Sequence, residues 1–193
     1  MSSLSRTFEL IDQYNAQDPN YENLKDGSSQ PKELIYSHRM SQQLAEYEEN
    51  PSEELQIAIR GQHIGRWKIL RSDYPMDKAG YKRWRTDLAH FHGQVLGEIM
   101  AQNQYPLESI ERVKSLVLKR ALKRDPEAQA LEDVACLVFL AFYFDAFAEK
   151  YKEDKIIDIL QKTWNKMSEK GHELALKLNL SASALAFINK ALT

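Results

Sequence analysis

Cysteine occurs once in this 193-residue chain, at Cys136, so neither an intramolecular disulfide nor a thiolate metal cluster is available. Glycine (7 residues) and proline (6 residues) are also scarce. The prolines fall where helices begin, leaving long helical segments with few breaks. No apolar run approaches the ~18 residues of a membrane span, and Met1 leads into polar Ser2 and Ser3 rather than a signal-like apolar stretch. Neither sign of charge dominates: 26 Lys and Arg stand against 28 Asp and Glu, a formal net charge of -2. That balance lacks the global basic footprint behind non-specific binding to nucleic acid. These absences predict a cytoplasmic protein with no membrane partner and no strong nucleic-acid signal. Ala135, Leu137 and Val138 around Cys136 predict a buried structural thiol rather than a reactive one.

What is present suits a helical core. With 43% hydrophobic and 28% charged residues, the chain is long enough to bury one sizeable core. Strand signatures are nearly missing, so the expected fold class is all-α, a single helical domain over 1–193 built from eight or nine helices. Phe8, Ile11 and Tyr14 at helical spacing predict a first helix over Leu4 to Asn15, followed by a polar loop from Asp18 to Gln30. Pro31 opens a second helix running to Glu48. Ser52 caps a third that ends near Gly65. Asp77 caps a long fourth helix from Lys78 to Asn103, and Pro106 starts a fifth reaching Lys123. Asp125-Pro126 begins the most apolar segment, Ala128 to Ala148. Helices over 154–166 and 168–178 follow, and Ser181 caps a terminal one.

Four polar residues fall among apolar neighbours. His38 shares a helix face with Leu34, Ile35 and Ala45, His63 lies in line with Ile59, and His92 sits between Leu88 and Leu96. Asp133 stands between Ala130 and Leu137, where an ionised, unpartnered carboxylate would cost several kcal/mol. Convergence on one pocket would satisfy all four, and imidazole plus carboxylate suits a divalent Zn, Fe or Mn ion. The alternative is that each histidine is a hydrogen-bonded core residue and Asp133 pairs with an arginine. His90 and His172 read as surface residues.

Cations near such a pocket are what phosphate recognition requires. Arg66, Lys82, Arg83 and Arg85 are the candidates for holding a phosphorylated ligand, with Tyr81 and Trp84 interleaved. Lys119-Arg120 and Lys123-Arg124 form a second basic stretch, also readable as a solvated helix end.

The order of these residues resembles the HD superfamily of helical metal-dependent phosphohydrolases. Tyr36-Ser37-His38-Arg39-Met40 looks like the early histidine helix, Ile59-Arg60-Gly61-Gln62-His63-Ile64-Gly65 like the His-Asp doublet segment, and Leu131-Glu132-Asp133-Val134-Ala135 like the segment with the final aspartate. The similarity spans about Leu34 to Phe144. It implies an HD-like core over about 31–150, followed by C-terminal helices over 154–193. It further implies one divalent metal on His38, His63, His92 and Asp133, with Glu132 or His92 as base or orienting group. The expected ligand is a nucleotide or another phosphate ester, and homo-oligomerisation stays open. Gln62-His63 departs from the doublet, because an imidazole cannot bridge two metals as that aspartate does. This leaves either a single-metal hydrolase or a binding module without turnover.

Taken whole, the chain also resembles a family of bacterial and fungal proteins often labelled glutamyl-tRNA synthetase-like. His63-Ile64-Gly65-Arg66 is similar to the class I HIGH signature, and Lys166-Met167-Ser168-Glu169-Lys170 to KMSKS. Those signatures act from a parallel sheet, and none is expected here.

Overall fold

The computed structural model describes residues 2–24 and 26–192. The fold is all-α, with ten α-helices and one short hairpin among those residues. The helices group into two compact units, residues 1–120 and 121–193. No helix among the described residues is long and apolar enough to cross a membrane.

In the first unit, α1 (Ser3–Asn15) leads into a hairpin of β1 (Tyr21–Asn23) and β2 (Ser29–Pro31), paired antiparallel with Tyr21 opposite Pro31. This hairpin lies where the sequence predicts only a polar loop. Three residues per strand are too few to produce a readable alternation.

Asp18 ties the region down. Its Oδ1 accepts from Asn20 N at 2.9 Å and its Oδ2 from Glu33 N at 3.0 Å, capping α2 (Lys32–Tyr47) in place of Pro31. The buried face of α2 runs through Glu33, Ser37, Met40, Leu44 and Tyr47, a spacing of three and four residues. His38, one residue past Ser37, is turned about 100° off that face.

Ser52 caps α3 (Glu53–Arg60) as expected, accepting from Leu55 N. The helix stops at Arg60 rather than near Gly65. Gly61 forms its C-cap, where a Cβ would lie 2.3 Å from the Leu96 side chain. Gly65 then turns through φ +65°, with the Tyr14 and Phe91 rings leaving no room for a Cβ. Two glycines therefore bracket the turn carrying Gln62, His63 and Ile64.

Asp77 caps α4 (Lys78–Gln102), accepting from Gly80 N at 2.7 Å. α4 packs along α5 (Leu107–Val117). Leu88, Leu96, Val113, Leu116, Ile57 and Ile59 are fully or almost fully buried in this unit's core. α5 ends six residues earlier than its periodicity suggests. Arg120 N donates to Ser115 O and Lys119 N to Leu116 O, closing the helix in a Schellman turn. Lys119 takes the left-handed position at φ 51°, where glycine is usual.

In the second unit, Asp125 caps α6 (Pro126–Val138), which runs through a π-turn at Phe139–Tyr143 into α7 (Phe144–Ala148). Then come α8 (Glu153–Lys166), α9 (Glu169–Ala175), capped by Ser168, and α10 (Ala182–Leu192). Cys136 is buried, as its apolar neighbours predict.

Candidate functional site

The residues named from sequence fall into three settings. His38 is a correction: it does not face the core. Its side chain is 48% exposed, and Nε2 lies 3.3 Å from Asp12 Oδ2. Leu34 and Ala45 misled the assignment, because they flank the buried face of α2 instead of forming it.

Asp133 and Glu132 belong to the second unit and are buried there, the former as its apolar neighbours predict. Asp133 meets its desolvation problem through a donor network: its Oδ1 accepts from Gln129 Nε2 and Ser168 N, both at 2.9 Å, and its Oδ2 from the Ser168 hydroxyl. These donors are an amide, a backbone N–H and a hydroxyl. Gly171 leaves room for the carboxylate, since a Cβ there would lie 2.8 Å from Asp133 Cγ. Glu132 Oε1 lies 3.5 Å from Lys166 Nζ.

His63 and His92 do come together. Both line a pocket of about 220 Å³ whose walls are drawn entirely from the first unit, with ring centroids 6.0 Å apart. The tautomer of His92 follows from one contact. Nδ1 lies 2.7 Å from the Ile64 carbonyl, which only accepts, so Nδ1 carries the proton. In the neutral ring Nε2 is then a bare acceptor, and it is buried without a partner. Burial, helped by His63, holds the His92 pKa well below its usual value.

His63 is neutral as well. Burial, reinforced by the positive charges of Arg66, Arg85 and Lys119, depresses its pKa strongly. Arg66 Nη1 donates to His63 Nε2 at 3.4 Å, which places the His63 proton on Nδ1, 3.5 Å from Glu33 Oε2. Tyr36 stacks on the His63 ring at 4.1 Å and donates its hydroxyl to Gln62 Oε1.

Of the cations named from sequence, Arg66 and Arg85 line the pocket together with Lys119. Arg66 rests over the Trp84 ring, 4.9 Å from its centroid. Lys82 is exposed and outside the lining. Arg83 is 79% exposed, with Nε 4.0 Å from Asp87.

Glu33 was missed. It is 7% exposed, and burial raises its pKa to about 7 against the pull of Arg66 and Lys32. In sequence it reads as an acidic first-turn residue complementing the helix dipole. Only its spacing to Ser37, Met40 and Leu44 marks it as inward.

For a metal ion the fit is poor. Among the described residues no three His, Cys, Asp or Glu side chains cluster so as to hold one. Within their own units, His38, His63 and Asp133 are each engaged as above, whereas His92 Nε2 is buried without a partner. The two synthetase-like strings lie in the turn after α3 and at the cap of α9. The strands among the described residues make only the antiparallel hairpin.

No curated protein matches the chain, and no solved structure does. The model of a domain of unknown function, DUF4202, matches residues 5–188, and the chain belongs to that family.

Proposed function

We propose that the first unit binds the phosphate group of a small phosphorylated ligand, as a module without turnover. The carrying observation is the convergence of Arg66, Arg85 and Lys119 on a pocket whose two imidazoles are both neutral. Cations gathered around a concave site attract an anion, and planar guanidinium groups match phosphate oxygens. Arg85 has no ion-pair partner among the described residues, and its charge already weighs on His63.

Titration calorimetry with inorganic phosphate and pyrophosphate tests this reading. Binding should weaken as salt rises, and Arg85→Ala, which changes an exposed side chain, should weaken it about tenfold to a hundredfold. Absence of binding at low salt would exclude the proposal.

Metal-dependent phosphoester hydrolysis is the second reading of the same pocket, which holds His63 of the HD-like doublet segment. The lone pair of His92 Nε2 favours it. Elemental analysis for Zn, Fe and Mn, with turnover of phosphate esters lost in His92→Gln, would replace the first reading by the second.

A further inference from the structure

The phosphate-binding reading leaves the rest of the ligand open, and the pocket walls restrict it. At about 220 Å³ the space lies below the ~300–1,000 Å³ of sites that enclose drug-sized molecules. None of the lining side chains is Phe, Tyr or Trp. Two neighbouring aromatic rings are engaged within the protein: Tyr36 stacks on His63 at an interplanar angle of 13°, and Trp84 carries Arg66. Proteins that read a nucleobase commonly stack it on an aromatic or guanidinium plane. The remaining apolar wall, Leu88, Ala89, Val117 and Leu118, is aliphatic.

The polar demand of the pocket is equally specific. His92 Nε2 is buried, bare and without a partner, so it accepts and cannot donate. The phosphate group of a monoester dianion, ROPO3²⁻, has no proton to offer it. A hydroxyl close to the phosphate does, and Thr86 at the rim adds a second group able to donate or accept.

We infer that the ligand is the phosphate monoester of a small polyol or sugar, its phosphate on Arg66, Arg85 and Lys119 and a hydroxyl donating to His92 Nε2. Nucleotides are disfavoured by size and by the lack of an aromatic ring among the lining side chains. This inference rests on the phosphate-binding reading, and the experiment separates the two.

Calorimetry on the full wild-type chain would compare glycerol 3-phosphate, ribose 5-phosphate, propyl phosphate, AMP and inorganic phosphate. One satisfied buried acceptor is worth about tenfold in affinity. Glycerol 3-phosphate or ribose 5-phosphate should therefore bind about tenfold tighter than propyl phosphate, which lacks the hydroxyls, and tighter than AMP. The comparison changes only the ligand, so it does not depend on whether a His92 variant folds. AMP binding as tightly as the sugar phosphates, or propyl phosphate matching glycerol 3-phosphate, overturns the inference and leaves the phosphate pocket standing. Failure of every compound, inorganic phosphate included, removes the phosphate pocket as well.

Discussion

The Ile64 carbonyl accepts a 2.7 Å hydrogen bond from His92 Nδ1 and thereby fixes which imidazole nitrogen is left for chemistry. Nitrogen-15 NMR of histidine-labelled protein checks this directly. His92 is expected as the Nδ1-protonated neutral tautomer, staying neutral as pH falls below the ordinary imidazole value of 6.5. An Nε2-protonated His92 would remove the acceptor on which the polyol-phosphate inference depends.

Glu33 gives a pH dependence of defined sign. Its pKa rises from 4.5 unfolded to about 7 folded, so the native state holds a proton that the unfolded chain releases. This contribution is complete below pH 4.5 and is lost as pH rises through about 7, on the order of 3 kcal/mol in total. His63 and His92, with depressed pKa values, act oppositely, and their stabilisation falls as pH drops below 6.5. Urea unfolding of wild type and Glu33→Gln from pH 4.5 to 8 isolates the Glu33 part. Wild type should lose stability relative to the variant across that window, and parallel curves would show that Glu33 does not titrate there.

Lys119 sets stability against binding. Lys119→Gly should raise unfolding stability by about 1 kcal/mol, because glycine adopts φ 51° without strain. The same change removes a pocket cation and should weaken phosphate binding severalfold. A variant that gains stability and keeps full affinity would place Lys119 outside the recognition set.

Asp12 and His38 should differ sharply when each is replaced by alanine. Asp12 receives Arg60 Nε at 3.0 Å and Nη2 at 2.6 Å, and the Arg60 side chain is only 14% exposed. Asp12→Ala strands a largely buried guanidinium and should cost about 1–3 kcal/mol. His38→Ala, at an exposed position, should change stability by no more than about 0.5 kcal/mol and leave phosphate affinity unaltered. A large loss of metal content in His38→Ala would instead return this residue to the role that its HD-like context implies.

These contrasts show what local sequence encodes and what it does not. Ser52, Asp77, Asp125 and Ser181 were legible because a cap is decided by a residue and its next three neighbours. The ends of α3 and α5 were not. Gly61 terminates a helix against Leu96, 35 positions away in sequence, and Lys119 occupies a position that propensity assigns to glycine. At the site, the inward setting of His63 and His92 followed from periodicity, and the burial of Asp133 from the apolar helix around it. The partners of Asp133 did not, since Ser168 lies 35 residues along the chain. His38 was misassigned because two apolar neighbours suggested a face that the 33-37-40-44 spacing contradicts.

The π-turn between α6 and α7 carries one further consequence. A π-bulge holds one residue more than an α-helical path over the same rise, so Phe139–Tyr143 gives this rod a residue of slack. Phe144, 1% exposed, packs edge-on against Phe139 and Phe187 only because that surplus has rotated the following turn. Removing one residue from the bulge would restore a regular helix and swing Phe144 about 100° away from its partners. Along this stretch chain length is thus constrained more tightly than residue identity: an aliphatic exchange at Leu140 is tolerable, and a single deletion is not.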